Sequence, residues 1–188
     1  MRSLVVCAAM ITSATLSAAD SPQDAFWKNL RALCGQAFEG HVVEGSAATD
    51  ATFKDKVLVM HVRACGDDEI RIPFHVGENR SRTWVLTRTA GGIRLKHDHR
   101  HEDGSEDNIT QYGGDTSDGG TAEKQEFPAD EFTTELIPAA KTNIWTMIVE
   151  PGKIFGYGLR REAENRRFRV EFDLTRPVSA PPAPWGSK

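Results

Sequence analysis

The sequence predicts a mainly β fold: an antiparallel up-and-down barrel of about eight to ten short strands, with a short helix ahead of the first. Three observations carry this. Apolar residues recur with period two over most of the chain, clusters of Gly, Asp, Asn and Ser separate these runs, and no long helical pattern intervenes of the kind that a βαβ fold needs. A β-sandwich is the alternative for the same pattern. The barrel is preferred because closure removes exposed edges and a helix can plug one mouth.

The chain begins with Met1-Arg2-Ser3 and an uncharged run from Leu4 to Ala19 that ends in Leu16-Ser17-Ala18-Ala19. This has the form of a secretory signal peptide, residues 1–19, with small residues at the cleavage point. It is short and Ser/Thr-diluted for a bilayer span, so no integral membrane segment is expected in the mature chain, and the expected location is secreted or periplasmic. Residues 20–176 then form a single domain, and residues 177–188, rich in proline, form a disordered tail.

Within the domain, Phe26, Leu30 and Leu33 recur at helical spacing from Pro22 to Cys34, and Gly35 follows as a stop. Strand-like runs follow from Ala37, over Lys56–Ala64, and over Glu69–Val76, where Pro73 calls for an edge or a bulge. They continue over Thr83–Thr89, Gly92–Glu102 and Asn108–Tyr112, after which residues 113–120 form a polar loop. A strand over Thr121–Phe127 and a helical turn over Pro128–Leu136 precede three late strands, Asn143–Val149, Lys153–Arg161 and Arg166–Thr175.

Loss of the leader removes Cys7 and leaves Cys34 and Cys65, an even number in an oxidising compartment. A disulfide between them would stabilise the fold by about 3–4 kcal/mol through loop closure. The formal net charge of −4 gives no overall electrostatic reason to bind nucleic acid or an anionic membrane.

His97, His99 and His101 sit at i, i+2 and i+4 of one strand and continue the face of Ile93 and Leu95. Neighbouring same-face positions lie about 6.5–7 Å apart, so two imidazoles can meet on a divalent metal such as zinc with a donor from another strand. His41, His61, His75 and Glu44 are the available donors. The alternative is a half-buried polar ladder without metal. A second constellation is aromatic: Trp84, Trp145 and Tyr157 lie on strands and could line an apolar pocket, with Arg88, Arg161 or a histidine orienting a small ligand. No G-x-S-x-G elbow, Walker loop, dinucleotide fingerprint or H-E-x-x-H motif is present.

Phe26-Trp27, the stretch Leu33-Cys34-Gly35-Gln36-Ala37-Phe38-Glu39-Gly40, the stretch from Leu95 to Gly104, Tyr112-Gly113-Gly114-Asp115 and Phe172-Asp173-Leu174-Thr175 resemble an uncharacterised family of secreted bacterial proteins. That resemblance implies no known activity. More loosely, a helix followed by Gly35-x-x-x-x-Gly40 at the head of a strand meander is similar to the calycin superfamily of lipocalin-like barrels, although Ala37 stands where that family has Trp. It implies the barrel and transfers no binding residue. The leading expectation is a binding module for a small ligand. The alternatives are a metal-dependent enzyme using His97, His99 and His101, and a structural, envelope-associated interaction protein.

Overall fold

The computed structural model describes residues 20–46, 52–161 and 164–187; the leader expected over residues 1–19 lies outside the described residues. Helix α1 spans Pro22–Arg31. A reciprocal cap starts it: the Ser21 hydroxyl accepts from the Asp24 N–H at 3.1 Å while the Asp24 carboxylate accepts from Ser21. Pro22 adds a fixed φ in the first turn, where its missing N–H costs nothing. Phe26, Trp27 and Leu30 are buried on one face. The helix stops before Cys34, and Gly35 takes φ +80° in the turn that leads to the first strand.

Among the described residues eleven strands follow: β1 (Ala37–Glu44), β2 (Leu58–His61), β3 (Ala64–Cys65), β4 (Glu69–Val76), β5 (Asn79–Thr89), β6 (Gly92–His99), β7 (Tyr112–Asp115), β8 (Lys124–Pro128), β9 (Asn143–Glu150), β10 (Ile154–Arg161) and β11 (Arg166–Val178). A second helix, α2 (Glu131–Leu136), lies between β8 and β9. The strands form one antiparallel sheet in the order β7-β6-β5-β4-β2-β1-β11-β10-β9-β8, with β3 added on β4. Pro73 sits opposite the interruption between β2 and β3, where Met60 pairs with Phe74 but Ala64 pairs with Arg71. There its missing N–H removes no ladder bond.

The ends of this order, β7 and β8, meet and nearly close a barrel without a regular ladder between them. Gly113 carries the junction: its carbonyl accepts from the Asp130 N–H at 3.0 Å and from the Thr133 hydroxyl at 2.8 Å, and its own N–H donates to that hydroxyl at 2.7 Å. Two bare glycines make the approach possible. A Cβ on Gly113, at φ +152°, would fall 1.9 Å from the Leu95 carbonyl oxygen, and one on Gly114 would fall 1.8 Å from that of Pro128. Residues 113–115, expected in a polar loop, are therefore the closing strand, and the strand expected over Asn108–Tyr112 is loop up to Gln111.

The two ends of the barrel differ. At one, α1 is tied to residues flanking the strands: Gln23 donates to Thr116 at 2.9 Å, Asn29 to the Ala122 carbonyl at 2.9 Å, Arg31 pairs with Asp67 at 3.0 Å and Asp24 with Arg88. The adjoining lumen is filled, with Leu86, Leu95, Met147, Val149, Phe155 and Phe172 all buried. Cys34 and Cys65 form a disulfide across a sequence separation of 31 residues, fastening the turn after α1 to β3. Pro177 and Val178, grouped with the tail on composition, are the last residues of β11 and pair with Phe38 and Ala37. Beyond them the chain runs along the barrel exterior, where the Trp185 N–H donates to the Arg80 carbonyl at 3.1 Å.

Candidate functional site

The opposite end is open. It is built from the start of β5, the end of β6, the start of β7 and β9, the end of β10 and the start of β11, so alternation on six strands aims one side chain after another into the same space. A cavity of about 350 Å³ results. Its walls are mainly aromatic. Trp84 stacks on Tyr157 at 4.4 Å between ring centroids and on Phe74 at 4.9 Å, and Trp145 lies 5.2 Å from the His97 ring and 5.8 Å from Tyr112. At the mouth Phe53 stacks on Phe168 at 5.0 Å.

His97 is buried in this wall and uses both ring nitrogens. Nδ1 lies 2.9 Å from the Tyr112 carbonyl, which only accepts, so Nδ1 carries the proton and Nε2 accepts from the Tyr157 hydroxyl at 2.7 Å. Burial pushes its pKa down to about 3, against a smaller opposing effect of the Tyr112 carbonyl. His99 lines the cavity with its Nε2 3.1 Å from the Tyr112 hydroxyl. Burial first, and the Arg82 charge second, hold His99 at about 4. Burial also raises Tyr112 to about 12 and Tyr157 well above the usual phenol value. This wall is thus neutral at ordinary pH: two unprotonated imidazoles and two protonated phenols.

His101 does not join the other two. β6 ends at His99, and His101 begins an exposed turn in which its carbonyl accepts from the Gly104 N–H at 3.0 Å. His41 and Glu44 are exposed on β1, and neither they nor His61 and His75 line the cavity. Among the described residues no group of three or more His, Cys, Asp or Glu side chains is placed to share a metal ion. Trp84, Trp145 and Tyr157 do converge on one cavity. Arg88 lies at the other end of the barrel, ion-paired with Asp24 and 5.7 Å over the Trp27 ring.

Charge at the open end comes from Arg82, Arg161 and Arg166. Arg161 is buried and occupied: its Nε donates to Asn143 Oδ1 at 2.7 Å and its guanidinium pairs with Glu164 at 2.8 Å. Arg82 donates to Asn79 Oδ1 at 3.1 Å and has no carboxylate partner among the described residues. Burial lowers its pKa, the opposing effect of Tyr112 and Tyr157 being smaller, but a guanidinium stays charged. Arg82 and Tyr112 are among the site residues that the sequence reading left out. The signal for Arg82 was present, since it stands two residues before Trp84 on the same strand face. No protein-family model, curated protein or solved structure matches this chain.

Proposed function

We propose that this protein is a binding module that holds a small, largely apolar or aromatic molecule in the open half of its barrel. The observation that carries the reading is the cavity itself: about 350 Å³, walled by stacked aromatic rings and open at the barrel end opposite α1. Such a volume lies at the small end of the ~300–1,000 Å³ range of ligand pockets, whose walls are typically apolar with a few placed polar groups. Trp84, Trp145 and Tyr157 are the proposed contact residues. An up-and-down barrel of lipocalin-like design, in a secreted or periplasmic compartment, is the proposed setting, and the Cys34–Cys65 disulfide supports that compartment.

The test is a titration with the neutral fluorophore N-phenyl-1-naphthylamine. Saturable binding at one site per chain is expected, with affinity about tenfold lower in Trp145→Ala, the size of effect that loss of an aromatic wall produces. Equal affinity in the variant would place the fluorophore elsewhere and overturn the reading.

A further inference from the structure

We infer that the ligand is an anion: a planar carboxylate carried on an aromatic body, with the carboxylate paired to Arg82 and the body stacked among the rings below it. The inference rests on the binding reading and adds the chemical class.

The described residues that line the cavity include Arg82, Arg161 and Arg166 but no Asp or Glu. Glu164 offsets Arg161 from the rim, and Asn143 takes its Nε, so that guanidinium is already engaged. Arg166 is exposed at the mouth and forms no ion pair with a described residue. Arg82 differs from both. It is half-buried, stands on the same strand face as Trp84, pairs across the sheet with His99, and among the described residues its hydrogen-bond partner is the neutral Asn79 amide.

A guanidinium drawn out of water without a counter-charge is costly, and a carboxylate that completes the pair regains charge-assisted hydrogen bonds in a water-poor setting. Asp107 carries a negative charge that is felt at His99 and Tyr112, but among the described residues it neither lines the cavity nor pairs with Arg82. His97 and His99 are neutral imidazoles and Tyr112 and Tyr157 are protonated phenols. Geometry then selects the anion. A single fork of N–H donors matches a flat, two-oxygen acceptor, whereas a tetrahedral phosphate is usually met by several donors at once. The body of the ligand is set by the lining, in which Trp84, Phe74, Tyr157, Tyr112 and Trp145 form a packed aromatic wall that suits a flat ring better than an alkyl chain.

The experiment is calorimetric titration of the purified mature chain with three molecules of one shape: 2-naphthoate, 2-naphthylmethanol and 2-naphthylmethylamine. Naphthoate should bind about 10- to 100-fold more tightly than the alcohol, the range expected when a charged hydrogen-bonded pair forms in place of a neutral one, and the amine should bind weakest. Arg82→Met should erase the preference for naphthoate over the alcohol. Arg88→Met, at the plugged end, should leave it intact. If Arg82→Met does not fold, Arg82→Lys serves, and the preference should shrink because an ammonium lacks the planar fork. Equal binding of acid and alcohol by the wild type, or a preference that survives loss of the Arg82 guanidinium, overturns the anion inference and leaves the binding module standing. Failure of all three to bind overturns both.

Discussion

His97 shows how a single residue acquires its chemistry from position. Its neighbours in sequence, Lys96 and Asp98, are charged, yet the pleat turns both outward: Lys96 pairs with Asp130 and Asp98 is bonded by Arg100 at 2.7 Å. His97 is turned inward, where the Tyr112 carbonyl and the Tyr157 hydroxyl take both nitrogens and burial keeps the ring uncharged. The consequence is a pH dependence with a fixed sign. The unfolded chain protonates His97 and His99 below their ordinary value of 6.5, while the folded chain resists to about 3 and 4. Stability is therefore constant above pH 6.5 as far as these groups are concerned and falls as pH drops from 6.5 toward 4. The slope is up to about 1.4 kcal/mol per pH unit for each histidine. Urea melts between pH 7 and 4.5 should show it, and His97→Phe should have the shallower slope. A slope unchanged in the variant would mean that His97 titrates normally in the folded protein.

Among the elements, β7 is the least legible in sequence and the most consequential. Tyr112-Gly113-Gly114-Asp115 has the composition of a turn, since glycine is poor strand material. It is a strand because Gly113 and Gly114 let the β6 and α2 sides of the barrel approach within van der Waals contact of bare Cα atoms. Gly114→Ala should push Pro128 and Asp130 away and open the junction, at a cost of about 1–3 kcal/mol. The check is a lower urea midpoint, together with faster amide exchange at Asp130, whose N–H bonds to Gly113. A wild-type midpoint would show that the seam tolerates a methyl group. By contrast β6, β9 and β11 were legible, because alternating residues such as Ile93, Leu95 and His97 declare an inward face without reference to any partner.

At the scale of the whole molecule, the fold depends on a pairing distant in sequence, that of β1 with β11, while the consecutive strands β7 and β8 meet through the seam. The Cys34–Cys65 bridge removes part of the entropy of such a chain when unfolded, about 3–4 kcal/mol for the loop it closes. Replacement of both cysteines by serine should lower stability by that order. Intact mass should rise by about two protons on reduction of the wild type. A reduced protein with an unchanged melting midpoint would mean that the unfolded chain is already compact. The bridge lies at the α1 end, so at temperatures where the variant stays folded its affinity for the naphthyl probes should be unaltered.

Period-two alternation and the apolar spacing and Gly35 stop of α1 pointed to the class and most elements because each is a property of near neighbours along the chain, and the expected loss of Cys7 with the leader left Cys34 and Cys65 as the pair to be joined. The cavity, its membership and its charge were decided only by tertiary structure. Whether Arg82 and Arg88 serve one site depends on which end of β5 the helix plugs, and six residues along a strand separate them by about 20 Å. Whether three histidines act together depends on where β6 stops, which is set by the turn from His101 to Gly104 and not by the spacing of the histidines. Closure itself rests on what a methyl group would strike across the seam, a distance between atoms that no local pattern contains.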